Sequence, residues 1–162
     1  MAARGPRRDD SSCHLRIAGY SPGMSEESTT PDLVELVRRL DEAANRRDFD
    51  AAVSFYAPDA VWEGRASGMT FEGRTAIRGF FEDMSVAYEE FEWRPEEILD
   101  LGNGVTVDVA CASGRPVGSW GRVEFRLAIV AVWEEGLIVR ATGYGDINEA
   151  RAAAARLAEE RG

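Results

Sequence analysis

The chain has 162 residues, of which 44% are hydrophobic, and a formal net charge of -10. This is enough apolar sequence for the core of one domain. The negative charge argues against nucleic acid and membrane surfaces as partners, and no apolar run reaches the roughly 18 residues of a membrane helix. The two cysteines, Cys13 and Cys111, lie far apart in unlike contexts. The sequence therefore predicts no disulfide and a cytoplasmic protein.

Residues 1–29 are polar and carry no apolar stretch long enough for a signal peptide. We expect a disordered leader there, followed by one domain over residues 30–162. Met24 begins a conventional-looking start, so residues 1–23 are a candidate artefact of start-site choice. The single histidine, His14, falls inside this leader. A mechanism that needs an imidazole in the folded domain is therefore not expected.

The first half of the domain is predicted to be mainly helical. Thr30 and Pro31 indicate the start of a first helix, and Asp48 is positioned to cap a short second one. A short strand over residues 59–63 follows. The next helix, after Gly73, is strongly amphipathic and rich in aromatic residues, so we expect it to cover a sheet.

The second half is predicted to form a sheet and a final helix. Strands are expected over residues 91–101, 105–112, 123–133 and 137–144, the last two forming a hairpin. Pro95 argues that the first of these is an edge strand or contains a bulge. Residues 113–121, with three glycines, are expected to form a loop. Asp146 and Glu149 have the spacing of a helix N-terminal capping box.

Side-chain alternation predicts which face of each strand points inward. In the hairpin's first strand, the large face is formed by Phe125, Leu127, Ile129, Ala131 and Trp133. The outer face is expected to carry Asp108, Glu124, Arg126, Val130 and Val132. Since this outer face is mixed in character, it is also a candidate surface for pairing two copies of the chain. In the strand of residues 105–112, the inward positions are assigned to the valines and Cys111, and a one-residue slip would turn Asp108 inward.

Several local sequences, in this order, resemble the SnoaL-like proteins of the nuclear transport factor 2-like superfamily, which are common in bacteria. They are Ala44-Asn45-Arg46-Arg47-Asp48-Phe49-Asp50, Tyr56-Ala57-Pro58-Asp59-Ala60-Val61-Trp62, Phe71-Glu72-Gly73-Arg74-Thr75-Ala76-Ile77 and Asp146-Ile147-Asn148-Glu149-Ala150. The resemblance implies an α+β fold, a cone-shaped α+β barrel in which a curved antiparallel sheet wraps around helices. It also implies an apolar pocket at the open end and a homodimer formed through the outer sheet face.

The superfamily includes ketosteroid isomerases, polyketide cyclases and epoxide hydrolases, whose pockets contain acids and hydroxyls. By resemblance, the isomerase base would fall at Gly64, the isomerase tyrosine at Leu40 and its protonated acid near Ile129. The paired acids and bridging arginine of the hydrolases would fall near Ala110, Ala112 and Gly143. These roles are therefore empty in this sequence.

Three residues are weak catalytic candidates. Glu63 neighbours the empty base position, but alternation favours a solvent-facing side chain. Asp108 is favoured as the partner of Arg126 in a cross-strand ion pair on the outer face. Tyr88, placed on the third helix, is equally compatible with reaching a ligand and with packing in the core.

The predicted pocket wall combines aromatic, aliphatic and small residues. Its members are Trp62, Phe80, Phe81, Met84, Tyr88, Val109, Cys111, Phe125, Leu127, Ile129, Trp133 and Gly143. Gly143, with Ala141 and Gly145, is expected to enlarge the cavity by removing wall volume. Cys111 is expected to be a buried, inert thiol.

Two functional hypotheses follow. The favoured one is a domain that binds a small hydrophobic molecule without a recognisable catalytic constellation, or that serves a protein partner. The other is an enzyme of isomerase, cyclase or hydrolase type with a non-standard acid or base. They differ in whether a carboxylate faces the cavity. No metal or cofactor is predicted, and the expected partners are a small hydrophobic molecule and a second copy of the chain.

Overall fold

The computed structural model describes residues 16–17 and 31–162. The elements in chain order are β1 (Arg16–Ile17), α1 (Leu33–Asn45), α2 (Phe49–Val53), β2 (Tyr56–Gly64), β3 (Thr70–Glu72), α3 (Arg74–Ala87), β4 (Tyr88–Gly102), β5 (Val105–Pro116), β6 (Val123–Glu134), β7 (Leu137–Tyr144) and α4 (Ile147–Arg161). The short strand β1 lies within the predicted leader. The other residues of the predicted leader are outside the described part of the chain.

The strands form one curved, unclosed sheet in the order β1-β4-β5-β6-β7-β2-β3. The mixed α+β fold expected from the sequence is confirmed. The central pairings of β4 through β7 are antiparallel, as predicted. The β2–β7 and β1–β4 pairings are parallel, so the sheet as a whole is mixed.

Local chemistry explains where the elements begin and turn. Asp48 and Asp146 cap α2 and α4 as predicted, each accepting a hydrogen bond from the backbone amide three residues on. The first helix is capped by Asp32 and not by Thr30, which lies outside the described residues. The register of β4 shifts just after Pro95, which confirms the predicted bulge.

The two faces of the sheet are covered by different helices. On the inner face, α1, α2 and α3 enclose a core that includes Trp133 and Ile138. On the outer face, α4 packs its alanine stripe against apolar residues of β5 and β6. The outer-face cluster contains Val105, Val107, Val109, Ala128, Val130, Ala150, Ala154 and Ala158.

This arrangement corrects the predicted orientation of β5. Its valines were expected to face the cavity, but they lie beneath α4 because that helix makes the outer face a second apolar layer. Val130 and Val132, which were expected on an open outer face, are 2% and 7% exposed. The opposite side of β5 therefore points inward, and it carries Thr106 and Asp108.

No helix among the described residues is both long enough and apolar enough to cross a membrane.

Candidate functional site

An inner cavity of about 150 Å³ lies between α1, α3 and the sheet. Its lining residues are Val37, Leu40, Asp41, Ala44, Asn45, Arg47, Phe49, Tyr56, Trp62, Phe81, Met84, Ser85, Phe91, Trp93, Thr106, Asp108, Ile129, Ala131, Trp133 and Ile138. Most of these side chains are apolar. Asp41, Asp108 and Arg47 are the charged members of this set, so two acids enter an otherwise hydrophobic space.

The two acids come from elements that are distant in sequence. Asp41 lies on the buried stripe of α1, four residues after Val37, and is 8% exposed. Asp108 lies on β5 directly opposite Ile129 of β6 and is 5% exposed. Packing of α1 against the inner sheet face therefore brings the two carboxyls together.

The two carboxyls lie close enough for each to influence the pKa of the other. One oxygen of each carboxyl, Asp41 Oδ2 and Asp108 Oδ1, is buried and has no hydrogen-bond partner among the described residues. A single proton shared between the two carboxyls would give both groups a partner. The second oxygen of Asp108, Oδ2, accepts a hydrogen bond of 3.3 Å from Trp93 Nε1.

Burial raises the pKa of both carboxyl groups. It raises the pKa of Asp41 well above its usual range, and the charge of Asp108 raises it further. Burial also raises the pKa of Asp108 to about 6, while hydrogen bonds from Asp41 and Trp93 oppose the rise. The pKa of about 6 makes Asp108 the candidate for the ionised member of the pair at neutral pH, while the direction of the Asp41 shift favours its protonated form.

Tyr56 and Trp133 complete the polar part of the wall. Burial, followed by the charges of Asp41 and Asp108, raises the pKa of Tyr56, so its hydroxyl stays protonated. Trp133 Nε1 donates to Thr106 Oγ1 over 2.9 Å, which uses the indole donor and leaves the Thr106 hydroxyl free to donate. Tyr56, Thr106 and the protonated form of Asp41 are thus hydroxyl donors in the cavity wall.

The predicted pocket residues divide into two groups. Trp62, Phe81, Met84, Ile129 and Trp133 line the cavity, whereas Phe80, Tyr88, Val109, Cys111, Phe125, Leu127 and Gly143 do not. Phe80 stacks on Phe71 behind Trp62, with ring centroids 4.6 Å apart. Phe125 lies near the start of β6, away from the cavity, and is 40% exposed. Val109 belongs to the cluster beneath α4.

Tyr88 and Cys111 also occupy different surroundings from those predicted. Tyr88 is the first residue of β4 instead of a residue of α3, and its ring packs beside Phe91. Cys111 is disulfide-bonded, so the expectation of an inert thiol and no disulfide is wrong. Cys13, the other cysteine, lies outside the described residues.

The predicted ion pair between Asp108 and Arg126 is absent, because Asp108 points into the cavity. Arg126 instead binds Glu96, with Nε and one terminal nitrogen 3.0 and 2.7 Å from Glu96 Oε1. Glu63 lies outside the cavity, in an ion pair with Arg140. The described residues contain no cluster of three or more histidine, cysteine or acidic side chains that could hold a metal ion.

Gly143 provides room for a tryptophan and does not enlarge the cavity. A Cβ atom at this position would lie 3.1 Å from Trp62 Cη2 and 3.4 Å from Ile129 Cδ1. Gly143→Ala is therefore expected to destabilise the fold by about 1–3 kcal/mol through overpacking. Urea unfolding measures this loss. The matched control is Gly145→Ala, since a Cβ there meets no atom within 4 Å; equal losses in the two variants would contradict the account.

Comparison with known proteins places this chain in a family. The SnoaL-like domain family model matches residues 37–141. No curated protein matches the sequence.

Solved structures share the fold. One is a protein with a ketosteroid isomerase-like fold from Catenulispora acidiphila, in complex with trimethylamine. It has a TM-score of 0.65 and 18% identity, covering 78% of this chain and 94% of that one. A putative polyketide cyclase from Sinorhizobium meliloti has a TM-score of 0.58 and 27% identity, covering 67% and 93%. A putative SnoaL-like polyketide cyclase from Shewanella denitrificans has a TM-score of 0.60 and 12% identity, covering 78% and 99%. With a family match that spans most of its length, this chain belongs to the SnoaL-like domain family.

Proposed function

We propose that the chain binds a small hydrophobic molecule in its inner cavity and catalyses proton transfer on it. The observation that carries this proposal is the pair of buried carboxyls, Asp41 and Asp108, in a largely apolar wall. Acids with opposite protonation states in one apolar site have the properties of a general base and a hydrogen-bond donor. This favours the enzyme hypothesis over simple binding, because a carboxylate does face the cavity.

The reaction class that fits is proton abstraction next to a carbonyl group. Asp108, ionised, accepts the proton as the carbon–hydrogen bond breaks, and the electron pair moves onto the carbonyl oxygen. Tyr56, which is protonated, donates a hydrogen bond to that oxygen, and Asp41 does so when its proton turns from Asp108 towards the substrate. The proton then returns from Asp108 to the same carbon or to another carbon of the conjugated system. Isomerisation and ring closure both begin with this step.

The structural relatives give this proposal its chemical context. Two are described as putative polyketide cyclases, and one has a ketosteroid isomerase-like fold. Polyketides and ketosteroids are carbonyl compounds, although the last of these structures is described by its fold and not by a reaction. The proposal for this chain nevertheless depends on its own two carboxyls, since the identities to these structures are low.

The test uses 2-tetralone, an apolar bicyclic ketone, as a probe in heavy water. Proton NMR follows exchange of its α-hydrogens for deuterium, with and without protein. We expect exchange above the buffer rate, and an increase in the melting temperature of the protein as the ketone is added. Binding without faster exchange would reject the catalytic half of the proposal. If the protein neither binds 2-tetralone, cyclic enones or aromatic polyketones nor speeds the exchange of their hydrogens, both halves of the proposal are rejected.

A further inference from the structure

The side chain of Asn45 connects the helix that carries Asp41 to the strand that supports Asp108. Asn45 is the last residue of α1, one helical turn after Asp41. Its Nδ2 donates to the backbone carbonyl of Trp93 over 2.8 Å, and its Oδ1 accepts from the Trp93 backbone amide over 2.9 Å. These two hydrogen bonds hold both backbone polar groups of Trp93, which lies on β4.

The same tryptophan contacts the second acid through its side chain. Trp93 Nε1 donates to Asp108 Oδ2 over 3.3 Å. Asn45 forms hydrogen bonds with both the N–H and the carbonyl of the Trp93 backbone. The position of the Trp93 indole therefore depends on that asparagine. A continuous path of hydrogen bonds therefore runs from α1 through Asn45 and Trp93 to the carboxylate on β5.

We propose that Asn45 is a positioning residue for the carboxyl pair, acting through Trp93 to keep an indole N–H on the carboxylate of Asp108. This inference builds on the proposed function because it concerns the same acids. Asn45 itself need touch neither the substrate nor the reacting atoms. Its role is to keep Asp108 ionised in an apolar wall by holding its neutral donor in place.

Other titratable and charged groups also lie near the carboxyl pair. Asp41 faces Asp108 from α1, Tyr56 faces both acids from β2, and Arg47 lines the same cavity from the turn after α1. Glu42, the neighbour of Asp41, adds negative charge near that acid. None of these groups replaces the indole donor, since Trp93 Nε1 is the side-chain donor observed on Asp108 among the described residues.

The experiment is a ligand-free NMR titration of the Trp93 indole resonance, assigned with Trp93→Phe, and of the aspartate carboxyl carbons. Loss of a hydrogen bond to the ionised form raises the midpoint of a carboxyl titration. We expect Asn45→Ala to raise the Asp108 midpoint by about half a pH unit or more. In a Trp93→Phe background, the same substitution is expected to change the midpoint little, because the path is already broken.

A matched control separates positioning from general stability. Asn103 also donates from Nδ2 to a backbone carbonyl, that of Ala158, over 2.6 Å, but it does not line the cavity. Asn103→Ala is expected to lower stability and leave the Asp108 midpoint unchanged. If Asn45→Ala does not fold, Asn45→Ser removes the amide with an uncharged side chain and is expected to raise the midpoint in the same direction.

An unchanged midpoint in a folded Asn45 variant would overturn the inference. So would an equal shift in the Asn103 control, or a full shift by Asn45→Ala in the absence of the Trp93 indole. The titration contains no ketone and requires no turnover. A failure of the deuterium-exchange test would therefore leave this result intact, and the reverse also holds.

Discussion

Replacing Asp108 with asparagine is expected to lower the rate of α-deuteration of 2-tetralone by about 10²- to 10⁴-fold, the contribution typical of a positioned base. Asparagine has nearly the same shape and retains an oxygen that can accept the indole N–H of Trp93. It cannot accept the proton from carbon. The loss should therefore appear in the rate of exchange while the ketone still binds. Asp41→Asn is expected to cost less, since its amide can still donate a hydrogen bond to the carbonyl oxygen.

Asp59→Asn is the matched control for this prediction. Asp59 lies on β2, is exposed and does not line the cavity. The same change of chemistry there is expected to leave the exchange rate unaltered. An Asp108→Asn protein that binds 2-tetralone and exchanges its hydrogens at the full rate would contradict the assignment of Asp108 as the base.

The second prediction concerns stability and pH. Because burial raises the pKa of Asp108 from about 3.8 to about 6, the folded state holds its proton more tightly than the unfolded state. The resulting stabilisation is fully present below about pH 4 and is lost as the pH rises through about 6. A shift of about two pKa units corresponds to about 3 kcal/mol. The raised pKa of Asp41 extends the same trend to higher pH.

Comparison with a variant isolates this term from the many surface carboxylates. Asp108→Asn has no buried charge at position 108, so it is expected to exceed the wild type in free energy of unfolding at pH 8 by up to about 3 kcal/mol. The advantage should shrink towards pH 4, where the wild-type acid is protonated. Urea unfolding at pH 4 to 8 measures the difference. A difference that is constant with pH, or that favours the wild type at pH 8, would show that Asp108 is not ionised in an apolar site.

Such a variant would gain stability while losing activity. An ionised acid in an apolar wall is costly to maintain, because water is a better solvent for the charge than the protein interior. The expected gain on removing it is a measure of the cost of holding the carboxylate in that position. Sites built for chemistry commonly carry such a cost.

Much of the fold could be predicted from the sequence because its signals are local. Asp48 and Asp146 precede apolar periodic segments and cap the helices that follow. The Glu135-Gly136 turn has the positive φ angles of 52° and 80° that a tight hairpin favours. Strand β3 was missed because its three residues are too few to show alternation.

The candidate site could not be predicted in the same way, because it depends on which face of β5 is covered. Alternation gave two candidate faces, and the valines were assigned to the cavity on the assumption that the outer face meets solvent or a second copy. The alanine stripe of α4 fills that role within the chain. The α4 residues that pack on the sheet are small, and the helix is only weakly amphipathic. The sequence therefore did not indicate which surface α4 would cover.

Asp41 did leave a signal. It follows Val37 by four residues and precedes Ala44 by three, which places it on the apolar stripe of α1. An acid on such a stripe is buried when the helix packs, and it then needs a partner. The acids lie beside two of the positions at which the resemblance places isomerase residues: Asp41 follows Leu40, and Asp108 pairs with Ile129 on the neighbouring strand.

The most direct test of the account is a carbon-13 NMR titration of the aspartate carboxyls in the ligand-free protein, with Asp41→Asn and Asp108→Asn used to assign the two resonances. We predict one carboxyl, that of Asp108, with a midpoint near pH 6, and another, that of Asp41, which stays protonated well above the usual range of aspartates. Each resonance should also change when the other acid is replaced. If both carboxyls instead titrate near pH 4 and independently of each other, the buried proton-sharing pair does not exist, and the proposed proton-transfer function loses its basis.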